Sequence, residues 1–228
     1  MSSYFGSKAT SGLCQPIIAL MPPHDTYIET HLGGGAIMRR KPAALRNIGI
    51  DLNAKALNAF ECDYPVEKLH GCAHRFLSDF TFSGRELIYC DPPYLHHTRS
   101  GDRRYRFDYE ERDHIELLEL LKGLPCSIML SGYPSRLYDE RLADWRTLEL
   151  QVMNHNGVRT EKVWFNFTPD RVHWPRFAGK NFTDRQRIKR KAENWGKRYQ
   201  DLPHAERLAV LSAMMAVEAE EPVKGCRP

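Results

Sequence analysis

The six cysteines, Cys14, Cys62, Cys72, Cys90, Cys126 and Cys226, include no C-x-x-C pair. That argues against the common zinc ribbons and thioredoxin-like redox motifs. Cys62, His70, Cys72 and His74 fall close together, but their spacing matches no common zinc pattern, so no metal is expected. No apolar run approaches the length of a membrane span, which excludes a spanning helix. No apolar stretch follows Met1-Ser2-Ser3-Tyr4, so no secretory leader is expected. The cysteines then read as thiols of a reducing cytoplasm. There is no internal repeat and no low-complexity tract, which excludes a solenoid.

What is present is an ordinary globular composition, 42% hydrophobic and 27% charged, in 228 residues. That length holds one domain with a sizeable core plus an appendage. The net charge is +4, and it is unevenly placed. Between Arg171 and Arg198 ten Lys and Arg face only Asp184 and Glu193. Such a block suits a polyanionic partner; a solvated helix face is the other reading.

Short apolar runs alternate with helical patterns through the first two-thirds of the chain. Strands are expected at 26–29, 47–50, 87–90 and 126–130, and a late hairpin at 148–153 and 162–167 around Asn156-Gly157. Asn53 can cap a helix through Phe60, and Tyr109 to Lys122 reads as a helix with one buried face. Strands alternating with helices predict an α/β fold, a mainly parallel sheet with helices on both faces. Ligands of such sheets sit beyond the carboxyl ends of the strands, which here places Glu29, Asp51 and Asp91 along one crevice. After Pro169 the strand patterns stop and basic, helix-compatible sequence begins. The expected division is a domain over 1–168 and a basic helical extension over 169–228. Leu208, Leu211, Met214 and Met215 lie at helical spacing and read as a packing face.

Two segments carry chemistry. Asp91-Pro92-Pro93-Tyr94 follows a buried strand. The prolines fix φ, and their rigidity can aim the Asp91 carboxylate and the Pro92 carbonyl as two acceptors. Two acceptors that hold both N–H groups of an exocyclic amine draw its lone pair out of conjugation with the ring. Tyr94 can stack on the base. The second segment is Glu29-Thr30-His31-Leu32-Gly33-Gly34-Gly35, a glycine turn that lets backbone approach a ligand. Asp51, about 20 residues on, can accept from ribose hydroxyls. No Gly-Lys-Ser/Thr follows the turn, which excludes a phosphate-binding P-loop.

These segments resemble the Dam-type DNA adenine-N6 methyltransferases, whose sheet is the Rossmann-like class I methyltransferase sheet. Tyr4-Phe5-Gly6-Ser7-Lys8 resembles the family's aromatic-x-Gly-Gly-Lys motif, and Glu29 to Gly35 its Glu-Pro-Phe-x-Gly-x-Gly donor loop. Asp51-Leu52-Asn53 resembles Asp-Ile-Asn, and Asp91 to Tyr94 is similar to the catalytic motif. Weaker similarities lie at Asp113-His114 and Ser131-Gly132, and the resemblance covers about Tyr4 to Phe167. It implies S-adenosyl-L-methionine as methyl donor, held by Tyr4, Lys8, Glu29, Gly33, Gly35, Asp51 and Asp91. Asp79 is placed like the acid that contacts the donor's adenine. It also implies catalysis by Asp91, Pro92, Pro93 and Tyr94 on an adenine flipped out of double-stranded DNA.

The sequence departs from the family at three places. Ser7 replaces a glycine, Thr30-His31 replaces Pro-Phe, and Asp79 and Asp91 are only twelve positions apart, which leaves no room for an inserted recognition domain. Two basic segments can take over nucleic-acid contact. One is the loop from Leu95 to Phe107, with His96, His97, Arg99, Arg103, Arg104, Tyr105 and Arg106. The other is Arg171 to Arg198, where Arg185, Arg187, Lys189, Arg190 and Lys191 accompany Trp174, Phe177, Phe182 and Trp195. The alternatives are an RNA or cytosine-N4 amino-methyltransferase, or an inactive methyltransferase fold that only binds nucleic acid.

Overall fold

A computed structural model describes residues 13–98, 107–154, 157–169, 178–179 and 181–220. The chain divides into two compact units, Met1–Phe177 and Ala178–Pro228.

The first unit is built on seven strands: β1 (Thr26–Glu29), β2 (Arg46–Asp51), β3 (Glu67–His70), β4 (Glu86–Cys90), β5 (Ser127–Gly132), β6 (Arg146–Asn154) and β7 (Gly157–Phe165). Their order is β3-β2-β1-β4-β5-β7-β6. The pairs from β3 to β5 are parallel, and β7 runs antiparallel to both β5 and β6. A parallel sheet that reverses outward from its first strand and ends in an inserted antiparallel strand is the Rossmann-like class I methyltransferase fold. The late hairpin appears as expected, though both strands are longer. Asn154 pairs with Gly157, and the intervening turn lies outside the described residues.

Side-chain alternation gives this sheet two cores. Tyr27, Leu87, Tyr89, Met129, Val163 and Phe165 face one side, under α1 (Cys14–Leu20), the segment 32–38 and Leu57 of α2 (Ala54–Ala59). Ile28, Ile48, Ile50, Ile88, Cys90, Ile128, Leu130 and Trp164 face the other. There they meet Leu77 of α3 (Ala73–Asp79), Leu117, Leu118 and Leu121 of α4 (Glu111–Lys122) and Tyr138 of α5 (Arg136–Arg141). Every residue of β4 is buried, as befits a strand covered on both faces. Asn53 caps α2, its side chain accepting from the Lys55 N–H at 3.1 Å. At the start of α4, Asp113 reaches back to accept the Glu110 N–H at 2.8 Å.

The second unit holds α6 (Phe182–Gln200) and α7 (His204–Glu220). Asn181 caps α6 by accepting from the Asp184 N–H at 2.9 Å. No α6 residue is buried, and on α7 Leu208, Leu211, Met214 and Val217 are exposed. Leu208, Leu211 and Met214 of the stripe read as a packing face are therefore exposed, and the Met215 side chain lies outside the described ones. Among the described residues no helix is long and apolar enough to cross a membrane.

Candidate active site

The parallel register brings the carboxyl ends of β1, β2 and β4 to one edge. Glu29 pairs with Gly49 on one side and Tyr89 on the other, so Asp51 and Asp91 lie just beyond. The turn leaving β1 bends through Gly33 (φ 47°) and Gly35 (φ 59°), the left-handed region that glycine adopts without strain. A Cβ at Gly35 would also run into the Phe60 ring. Asp51 ties this turn down. Its Oδ2 accepts from the Gly33 N–H and its Oδ1 from the Asn53 N–H, both at 2.7 Å. One carboxylate thus joins the glycine turn to the start of α2.

Glu29 braces the same turn from below. It is buried, and its Oε2 accepts from the Tyr27 hydroxyl (3.1 Å) and the Met38 N–H (3.0 Å). Burial pushes its pKa up to about 8, and the nearby Asp91 charge adds to that. Lys41 lies against the same core, its ammonium 4.4 Å from the Tyr27 ring centroid and donating to Asn47 Oδ1 at 3.1 Å. Burial draws the Lys41 pKa down to about 8.

Asp91 is held from the neighbouring strand. Ser131, near the end of β5, donates its hydroxyl to Asp91 Oδ1 at 2.9 Å. Ser131 Oγ also lies 2.9 Å from the Tyr89 hydroxyl. A serine has one proton to give, so Tyr89 donates to Ser131 and Ser131 to Asp91. Tyr94 is held from β7, its hydroxyl donating to both Glu161 oxygens, at 3.2 and 3.1 Å. The Tyr94 ring lies 4.4 Å from that of Tyr133, tilted by 58°. Arg159 in turn donates to the Tyr133 hydroxyl at 3.0 Å.

Thr30-His31, the pair that departs from the family pattern, forms a polar chain behind the turn. Thr30 donates to Cys90 Sγ at 3.1 Å. It must then accept from His31 Nδ1 (2.8 Å), leaving His31 Nε2 to accept from the Tyr109 hydroxyl (2.9 Å). Burial lowers the His31 pKa to about 3, so the ring is neutral, as this tautomer requires. The chain links the glycine turn, the end of β4 and the residues leading into α4. Where the family places an apolar pair, this protein places a hydrogen-bonded one.

Asp79 is not brought to this edge. α3 runs back from the end of β3 toward the start of β4, so its last residue lies at the opposite edge of the sheet. The next residue, Phe80, sits 5.7 Å from the guanidinium of Arg46, the first residue of β2. Asp79 is exposed there, 3.7 Å from Arg75. What β3 delivers to the crevice edge is Gly71, which donates to the Asp51 carbonyl at 3.1 Å. Tyr4, Lys8, Arg99, Arg103, Arg104 and Arg106 lie outside the described residues. At the edge of that basic loop, His96 and Asp108 approach to 3.7 Å. On α6, Arg187, Lys189, Arg190 and Lys191 are exposed and Arg185 is half-buried; Arg187 is paired with Asp184 at 2.7 Å. Among the described residues no three His, Cys, Asp or Glu side chains gather as a metal site.

Sequence reasoning did not single out Glu161, Tyr133 or Arg159, and it took Ser131 only as a faint similarity. Glu161 had one local sign, an acid inside an otherwise regular strand pattern. Ser131 had another, a small polar residue just before the Gly132 that ends β5.

No protein-family model and no curated protein matches the chain. Solved structures give distant likenesses of fold. Precorrin 8w decarboxylase of Methanobacterium thermoautotrophicum is 13% identical over 72% of this chain and 97% of that one, with a TM-score of 0.49. TrmK of M. capricolum, solved with S-adenosyl-homocysteine, is 10% identical over 92% and 96%, with a TM-score of 0.45. The 23S rRNA methyltransferase ErmE is 10% identical over 68% of each chain, with a TM-score of 0.44. The fold assignment rests on the strand order, not on these likenesses.

Proposed function

We propose that this protein transfers a methyl group from S-adenosylmethionine to the exocyclic N6 of adenine in double-stranded DNA. The observation that carries the reading is Asp91-Pro92-Pro93-Tyr94, braced by Ser131 and Glu161 beside a glycine turn that Asp51 ties down.

The described residues fit the donor. Gly33 and Gly35 offer a turn free of side chains, and each carboxylate oxygen of Asp51 has a second lone pair for a ribose hydroxyl. Glu29 acts here as a brace of the turn. When bound, the donor supplies a sulfonium methyl carbon for in-line attack. The Asp91 carboxylate and the Pro92 carbonyl accept the two N–H groups of the amine, which returns its lone pair to nitrogen. Ser131 fixes one Asp91 oxygen, so the carboxylate cannot swing away. Tyr94 stacks on the base after it has left the duplex, because N6 and a methyl donor cannot meet inside the stack. Holding both partners in line supplies much of the rate. In this reading residues 1–168 are the methyltransferase domain and 169–228 a basic extension. Phosphates are contacted by the loop carrying Arg99, Arg103, Arg104 and Arg106, and by Arg185, Arg187, Lys189, Arg190 and Lys191 of α6.

The test is transfer of a labelled methyl group from S-adenosylmethionine to unmethylated duplex DNA, with RNA alongside and Asp91→Ala as control. Label in DNA that is lost with Asp91→Ala is the expected result. Label in RNA alone would move the substrate class. No label in either, and no donor binding, would leave a nucleic-acid-binding protein on a methyltransferase fold.

A further inference from the structure

The contact between Tyr94 and Glu161 reaches further than holding a ring in place. β7 pairs with β5 through Ser131–Val163 and Gly132–Lys162, so Glu161 lies one residue beyond the last pair, at the crevice edge. Glu161 is buried, 8% exposed, and both of its carboxylate oxygens accept from the Tyr94 hydroxyl. A phenol hydrogen-bonded to a carboxylate in a place of low dielectric carries more electron density on its oxygen and ring. Tyr133 packs against that ring and Arg159 anchors Tyr133, which sets the plane of the stack.

We infer that Glu161 is a positioning residue that makes Tyr94 an electron-rich stacking face for the cation formed during methyl transfer. The inference rests on the function proposed above. In that reaction the N6 lone pair forms the N–CH3 bond while the S–CH3 bond breaks and its electron pair stays on sulfur. Positive charge passes from the sulfonium to the adenine amine until an N6 proton leaves to Asp91. During that interval the base is a cation over the face of Tyr94, and a ring face attracts a cation through its quadrupole. The substrate adenine is neutral, so the attraction grows only as the transition state is approached. Glu161 therefore acts on kcat and little on KM.

The experiment measures kcat and KM for duplex DNA with wild-type protein, Glu161→Gln, Tyr94→Phe and the double variant. The glutamine keeps the shape and an acceptor but removes the charge, and the phenylalanine keeps the stack but removes the donor. Each single variant is expected to lower kcat about tenfold with KM within about twofold, and the double variant to fall no further than the singles. Losses that multiply in the double variant, or a raised KM at unchanged kcat, would overturn the inference. If Glu161→Gln does not fold, Tyr94→Phe decides alone, and an unchanged kcat overturns it. A wild-type protein that methylates no DNA removes the proposed function and this inference together. An active wild type with multiplying losses removes the inference only.

Discussion

Both ends of the central sheet carry carboxylates, and the two ends satisfy them differently. Where the parallel strands begin, the acids are met by cations or by a full set of donors. Glu67 is bonded to Arg46 at 2.7 and 2.8 Å, and Asp25 to Arg85 at 2.5 Å. Glu86 accepts from the N–H (2.9 Å) and hydroxyl (2.7 Å) of Ser83 and from the Gly84 N–H (2.9 Å). Burial alone would raise its pKa, but these donors outweigh it and hold the carboxyl below its ordinary value. Where the strands finish, Asp51, Asp91, Glu29 and Glu161 accept from N–H and O–H groups of the turn, the strands and the 91–94 segment around the crevice, and burial pushes the Glu29 pKa up to about 8. One edge spends its acids on holding the fold. The other uses them to fix the glycine turn, Asp91 and Tyr94, the groups to which the proposed function gives its chemistry.

The sharpest way to break this contrast is to remove one acid from each end. Asp91→Ala is expected to lower methyl transfer at least about a thousandfold while leaving donor affinity within a fewfold, read by single-turnover assay and calorimetry. Glu86→Ala is expected to leave kcat within about twofold but to cost about 1–2 kcal/mol in urea denaturation, through its lost hydrogen bonds. If the two outcomes were reversed, the ends would have been assigned wrongly. Ser131→Ala comes next. Asp91 loses its brace, and kcat is expected to fall about tenfold with donor binding unchanged.

Glu29→Gln tests the same contrast through pH. The folded-state pKa is raised, so the stability that the protonated carboxyl contributes is complete below about 4.5 and is lost as pH rises through about 8. The amide does not titrate. Unfolding midpoints of the variant should therefore gain on wild type between pH 5 and pH 8, by on the order of 2 kcal/mol. Taking the difference from wild type removes the opposite trend of His31 and His24. Their lowered pKa values, about 3 and about 4, favour the fold above the ordinary histidine value of 6.5 and lose that contribution as pH falls. A gap that does not change with pH would mean that Glu29 is ionised throughout. The smallest effect is expected of Asp79→Ala, which should leave donor affinity within about twofold, since α3 carries it to the stabilising edge.

These contrasts follow from what a local reading can see. β1, β2, β4 and β5 were legible because buried strands leave apolar runs, and Asp91 to Tyr94 because the motif is contiguous. β3 was not, since all four of its residues are exposed on an edge strand and no apolar pattern marks them. Ser131 and Glu161 lie 40 and 67 positions from the residues they hold, and only strand order and register bring them together. Asp79 was misplaced for the same reason in reverse. It lies twelve positions before Asp91, but a helix running against the strands takes it to the far end. Thr30-His31 read as a loss of the family's apolar pair, and its compensation, Tyr109, comes from 78 residues away.

The most direct test of the central claim is the identity of the product. Unmethylated duplex DNA is incubated with the protein and S-adenosylmethionine, digested to nucleosides and resolved by mass. The account predicts N6-methyladenine as the new nucleoside, absent with Asp91→Ala. Another methylated base, or N6-methyladenine that persists in Asp91→Ala, would contradict it.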